Sequence, residues 1–444
     1  MMKHFVSIIL IVLVSNVTVA QENTKARFRA AVVKADITPQ NPQWLRGYNP
    51  RQSNSVLDPL YHRIVALDDG KTQFFLISSD VIGIPSPEYD RVTSILQTKH
   101  GIDPLNVWWS ATHTHSAPEV AAHFQGIPFP SMSNRSQLAA KHDIDTAYTA
   151  MLERELIAGI LEARSRLQPA RLGVGWGFSQ ANINRRAIDV DGKASLGLNP
   201  DGEVDRRIGV LRIDKEDGSP LALIANYPIH GTVLGQDNQK ISGDAPGVVS
   251  AYVEQKIGAP VLFINGAAGN LAPIYSVYPN ERAGHLREFC VLLGDKIIDA
   301  NKNVIASLEN ITLVVRSLTV ETPRRPELGW SPDLAKYTRT TSSGINMVKL
   351  PIRFLKINDE IAIWSAPVEM FCEISNLVRE RSPFPFTFYF GYTNGSLGYL
   401  PAASAWEEGG YEPGVSPFTP AVEKDLTEAV IGYLQGELRS PARR

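Results

Sequence analysis

The run Val107-Trp108-Trp109-Ser110-Ala111, continuing into Thr112-His113-Thr114-His115-Ser116-Ala117-Pro118, constrains this chain more than any other segment. Its aromatic and β-branched residues read as a buried strand. Side chains two apart on a strand leave from the same face, so a His-Thr-His at the strand end aims two imidazoles into one pocket. Neutral imidazole is the commonest metal ligand and a ready acid or base near pH 7. The plain alternative is a polar strand end whose histidines bond to nearby loops. The strand context and the partners further along the chain weigh against it.

Strand-like and helix-like segments alternate around this run. Arg29–Ala35, Arg63–Leu67 and Gln73–Asp80 read as strands, and Glu88–Lys99 has helical spacing with Tyr89, Val92, Ile95 and Leu96 on one side. A loop from Ala122 to Asp143 precedes a long amphipathic helix, Ile144–Leu167. Strands are expected over Arg206–Asp214, Pro220–Tyr227, Pro260–Asn265, Ile311–Val320 and Thr387–Tyr392. Helices are expected over Gly247–Ile257, Gly284–Leu308, Pro367–Arg381 and Ala421–Leu438. Lys349–Ile357 and Glu360–Trp364 suggest a hairpin through Asn358-Asp359. Pro323–Asn346, rich in Pro, Arg, Ser and Thr, reads as a surface excursion or lid inside one large domain. Alternation of this kind points to an α/β layered fold.

Charge excludes some partners. Lys+Arg is 44 and Asp+Glu is 46, a net charge of −2, with no basic excess of the kind nucleic-acid binding needs. Residues 1–20 read as a secretory signal, with Lys3, the short apolar core Phe5–Val14 and the small-residue site Thr18-Val19-Ala20. The expected mature protein, residues 21–444, is therefore exported, to a periplasmic or extracellular space. The two cysteines, Cys290 and Cys372, lack metal-site spacing and read as small buried hydrophobes.

A third histidine, His230, ends the apolar strand before Gly231. With His113 and His115 it makes a set of three, and hydrolytic zinc sites commonly use three protein ligands plus a water. Glu369 follows a buried strand in what reads as the first turn of a helix, where a carboxylate is favoured by the helix dipole alone. Asp244 reads either as an orienting partner for a ligand histidine or as a helix cap. The loop Gly266-Ala267-Ala268-Gly269-Asn270-Leu271-Ala272-Pro273 is built from small residues that allow close backbone approach. It matches neither a P-loop nor a dinucleotide fingerprint. Nor does the chain carry the G-x-S-x-G of a nucleophile elbow.

In order along the chain, Ala35-Asp36-Ile37-Thr38-Pro39, Gly47-Tyr48, Ser110–Ser116, Asn182-Ile183-Asn184-Arg185, Ile229-His230, Ser242-Gly243-Asp244, Gly269–Pro273, Glu369 and Tyr392–Tyr411 resemble the catalytic domain of the neutral (alkaline, non-lysosomal) ceramidases. The resemblance covers about residues 28 to 420. It implies a layered αββα arrangement with mixed sheets, and a zinc amidase that cuts the N-acyl bond of ceramide or a related lipid acyl-amide. It also implies that His113, His230, Glu369 and Tyr399 hold the zinc, with His115 and Arg185 beside it facing the scissile carbonyl. One departure stands out. The family pattern Gly-Asp-Val-Ser-Pro reads here Gly269-Asn270-Leu271-Ala272-Pro273, so Ala272 offers no hydroxyl for a serine-based route.

The expected chemistry is hydrolysis by metal-activated water, with His115, Arg185 or Tyr399 stabilising the oxyanion and His115 protonating the leaving amine. Two rivals follow from the Ala272 departure: a zinc esterase or lactonase on another substrate, and a non-catalytic lipid- or carbohydrate-binding protein on the same scaffold. Peripheral membrane contact is compatible with the charge balance. The loop Phe124–Pro130 either lines an acyl groove or packs on the body of the domain.

Overall fold

The computed structural model describes residues 28–48, 51–120, 146–275 and 285–439. The expected signal and the Phe124–Pro130 loop lie outside them. An eight-stranded mixed sheet runs in the order Val261–Asn265, Pro220–Tyr227, Arg207–Lys215, Gln168–Phe178, Arg29–Asp36, Tyr61–Asp68, Gln73–Ser79, Val107–Ala111. Its two edge strands pair in parallel with their neighbours and the strands between pair antiparallel. A second sheet is built from Leu313–Pro323, Asn346–Ile357, Ile361–Ser365 and Phe386–Phe390, with Thr338–Thr340 beside the second of these. The hairpin through Asn358-Asp359 forms as expected, and Asn358 takes the positive φ of 53° that its turn requires.

Strand periodicity sorts the side chains into layers. Trp108, Val65, Leu67, Phe74, Leu211 and Leu262 point between the sheets and meet Leu355, Ile363 and Phe388 from the second sheet. Their alternates Trp109, Ile64, Ala66 and Ile77 turn outward, against Tyr89, Val92 and Leu96 of helix Ser86–His100 and Leu152, Leu156 and Ile160 of helix Thr146–Ser165. The other half of the large sheet is covered by helix Asp244–Ile257 and the Leu286–Lys302 region. Helices Cys372–Arg381 and Ala421–Arg439 cover the outer face of the second sheet. The result is helix, sheet, sheet, helix. Among the described residues no helix is long and apolar enough to cross a membrane.

Several boundaries differ from the sequence expectation. The segment expected as one helix from Gly284 to Leu308 splits into a 3₁₀ turn, a π-helical stretch over Cys290–Asp295 and a short α-helix, Lys296–Lys302. Cys290 is only partly buried, against expectation, whereas Cys372 is buried as expected. Helix Asp244–Ile257 begins three residues before its expected start.

The edges of the large sheet approach one another. Ser78 Oγ donates to the Phe263 carbonyl at 2.6 Å and Asn265 Nδ2 to the Thr112 carbonyl at 3.2 Å. The segment after Phe390 runs between them: Gly391 N donates to Asn265 O, and Ala111 N donates to Tyr392 O. This junction is where the histidines meet.

Candidate metal centre

His113 lies two residues past its strand, with φ +68°, in the left-handed region. This departs from the strand alternation expected for His-Thr-His. The imidazoles converge through a kink, locked by pairing of Thr114 with Gly231. Gly231 N donates to His113 O at 3.2 Å, and His115 N donates to Gly231 O at 2.8 Å. A Cβ at residue 231 would fall 2.6 Å from His113 O and Thr114 Cα, so this crossing requires glycine. The pairing brings His230 alongside, and the three imidazoles form a buried group whose potential ligand nitrogens all lie within 4.8 Å of one another.

Backbone carbonyls set the tautomers. His113 Nδ1 lies 2.5 Å from Ile82 O, and His230 Nδ1 lies 2.7 and 3.0 Å from Ala268 O and Leu271 O. A carbonyl only accepts, so each Nδ1 carries a proton, and in the neutral ring it is Nε2 that offers the lone pair. Both Nε2 atoms face Glu369 Oε2, at 3.3 Å from His113 and 3.6 Å from His230. His230 Nε2 and Glu369 Oε2 are buried without a hydrogen-bond partner among the described residues. Buried polar atoms left this way are costly. Two imidazole lone pairs and a carboxylate oxygen facing one space fit a divalent cation of the zinc class.

Glu369 is not in the first turn of a helix, as the sequence suggested. It sits on a two-residue strand, Glu369–Met370, paired in parallel with Tyr399–Leu400, and the helix starts at Cys372. An acidic residue just before a helix carries the same signal as one inside its first turn. The pairing sets Glu369 beside Tyr399, whose hydroxyl lies 3.1 Å from an Arg185 NH2.

A family model described as neutral/alkaline non-lysosomal ceramidase, N-terminal, matches residues 28–271. The chain belongs to this family. The match takes in His113, His115, Arg185 and His230, while Glu369 and Tyr399 lie beyond its end. The neutral ceramidase of Pseudomonas aeruginosa is 27% identical over 264 residues, 57% of this chain and 38% of that protein. Neutral ceramidase B of Dictyostelium discoideum is 27% identical over 226 residues, 50% of this chain and 29% of the relative. The chain thus spans well under half the length of the curated relatives it matches. The crystal structure of the Pseudomonas aeruginosa neutral ceramidase and a structure titled as ceramidase complexed with C2 each superpose with a TM-score of 0.72 at 20% identity. Each covers 94% of this chain and 76% of that one. The layered fold is therefore that of a ceramidase.

Electrostatics in this ceramidase-family centre favour neutral His115 and His230 beside a charged Glu369. Burial, aided by His113 and His230, holds His115 well below the usual histidine range. Burial, with Arg185 and His113, brings His230 down to about 3. Burial alone would raise the Glu369 carboxyl, but the imidazoles of His113 and His230 outweigh it and keep it well below the usual range. Burial and then the Glu369 charge hold the Tyr399 phenol protonated. His115 is wedged: the Tyr48 ring lies 5.0 Å from its ring, and a Cβ on Gly47, at φ +110°, would fall 2.5 Å from its Cγ. Tyr392, at φ +52°, lays its ring 4.1 Å from that of His113.

The remaining expected residues take other places. Asp244 touches no ligand histidine; its carboxylate accepts from Val233 N and Leu234 N, so it fixes the turn after His230. Asn270 O accepts from Arg185 N, its amide spans both oxygens of Glu373, and its Oδ1 accepts from Cys372 N. Ala272 is buried in a short strand opposite Ile183. The sequence reading missed Glu412. It is 1% exposed and takes Arg185 Nε at 2.9 Å and an Arg186 NH1 at 2.8 Å. Its setting in Gly-Gly-Tyr-Glu-Pro-Gly gave no signal, because both partners lie more than two hundred residues earlier.

Proposed function

We propose that this chain is an exported, zinc-dependent hydrolase that cleaves an N-acyl amide bond in a lipid-like substrate. The observation that carries the reading is the buried convergence of His113 and His230 on Glu369, with His230 Nε2 and Glu369 Oε2 left unpartnered, inside a ceramidase fold. His113, His230, Glu369 and Tyr399 would hold the ion. A bound zinc acts as a Lewis acid and lowers the pKa of its water to about 7.

The chain's own groups supply the rest. Arg185, clamped by Glu412, presents a fixed cation next to Tyr399, where a carbonyl oxygen gains charge during attack. His115 is neutral at rest. Its Nε2 lies 3.4 Å from His113 Nε2, and in this reading it would take a proton from the attacking water and return it to the leaving nitrogen. Ala272 has no hydroxyl to act as nucleophile, so water is the nucleophile in this reading. That same residue favours a second reading, a non-catalytic lipid- or carbohydrate-binding protein on the same scaffold; a zinc esterase or lactonase differs from the first reading only in the bond cut. The test is metal analysis of the purified mature protein, with hydrolysis of an N-acyl amide, an ester and a lactone before chelation, after chelation and after zinc return. Hydrolysis that persists without metal sinks the mechanism. Stoichiometric zinc without turnover on any of the three selects the binder.

A further inference from the structure

A cavity of about 160 Å³ away from the histidines has Tyr89, Asp90, Lys336, Tyr337, Arg353 and Asn394 among its lining residues, together with Ser365, Thr393 and the apolar Pro351 and Pro367. The excursion Pro323–Asn346 supplies its outer wall: the 3₁₀ helix Pro332–Tyr337 rests on helix Ser86–His100 through hydrogen bonds from the Tyr337 hydroxyl to Asp90, and Lys336 pairs with the same carboxylate. The charges do not balance. Asp90 is engaged by Lys336 and Tyr337, whereas Arg353 has no carboxylate partner among the described residues. Its NH1 donates to the Pro104 carbonyl, and its guanidinium lies 5.2 Å from the Tyr89 ring centroid.

Asn394 adds an independent sign. It is 6% exposed and held at φ +65°; its Oδ1 accepts from Trp109 N and its backbone N donates to Trp109 O. Those bonds fix the amide, yet Nδ2 is buried without a partner. A buried amide donor with no acceptor, beside a guanidinium whose partners are a carbonyl and a phenol but no carboxylate, fits an acceptor-rich anionic ligand. We propose that this cavity binds a small oxyanion of the carboxylate or phosphate class, held by the Arg353 guanidinium and the Asn394 amide, with Lys336 at its mouth. Asn394 stands two residues from Tyr392, so an occupied cavity would brace the segment that packs on His113.

The test is calorimetric titration of the metal-loaded protein at fixed ionic strength, with sodium acetate in one arm and inorganic phosphate in the other. One anion should bind with a stoichiometry near one. Arg353→Gln and Asn394→Asp should each weaken it about tenfold or more. Asp tolerates the left-handed backbone and keeps the acceptor for Trp109 N, and circular dichroism checks the fold of both variants. Failure of both anions to titrate overturns the proposal. So does binding that survives Arg353→Gln and disappears in His230→Gln, because it places the anion at the imidazoles. None of these readouts depends on hydrolysis.

Discussion

Two buried polar clusters touch at Tyr399, and they are built on opposite rules. Around Glu412 every charge has its complement: the carboxylate takes one arginine on each oxygen, and Arg186 reaches on to Glu408. Around Glu369 ring nitrogens and a carboxylate oxygen converge without closing their bonds. A satisfied network holds a shape, and an unsatisfied one presents groups that a ligand can bind. Arg185 belongs to both, locked by Glu412 on one side and next to the Tyr399 hydroxyl on the other.

The sharpest way to break the contrast is on the unsatisfied side. His230→Ala should abolish stoichiometric zinc and lower hydrolysis about a thousandfold, the scale of losing a metal's several kcal/mol. Metal content and turnover unchanged by this substitution would refute the site. On the satisfied side Glu412→Ala leaves the buried Arg185 guanidinium without a carboxylate, while Arg186 keeps Glu408, and should destabilise the fold by about 3–5 kcal/mol. Urea melts measure this, and Glu412→Gln should fall between.

A fourth buried imidazole sharpens the rule. His62 has both ring nitrogens engaged, by Ser79 Oγ at 2.6 Å and Leu152 O at 3.0 Å, so it should bind no metal. Burial lowers it to about 4 from its ordinary 6.5. The neutral form is the one that fits, so its stabilisation is complete above about pH 6.5 and is lost as pH falls through about 4. That loss amounts to about 3 kcal/mol. A stability–pH profile for His62→Gln that parallels wild type over this window would disprove the assignment. The smallest effect expected is at Gly47. An added methyl there displaces the His115 ring, and a misplacement of that kind costs about a hundredfold in rate, with zinc content retained. Equal activity of Gly47→Ala would show that the His115 ring is free to move.

The strands were legible because burial writes itself in periodicity. Trp108 and Trp109 are adjacent and fully buried, yet they face different cores, as a strand between two layers requires. Three site histidines were legible because each ends an apolar run. Glu369 was found but misplaced, since strand pairing with Tyr399 leaves no local mark. Glu412 was invisible, because its meaning comes from Arg185 and Arg186. Asp244 was legible only as either a histidine partner or a helix cap; its carboxylate accepts from the backbone amides of Val233 and Leu234.

His113 and His230 follow strands from opposite sides of one sheet, joined where Ser78 meets Phe263 and Thr114 meets Gly231. A half-formed sheet therefore owns no competent centre, and the ligand set exists only once the most distant pairings have closed. An ion bound there would act as a clasp, stabilising the finished molecule and none of its partly folded forms. Chelation should then open this seam first, well before the outer helices come away.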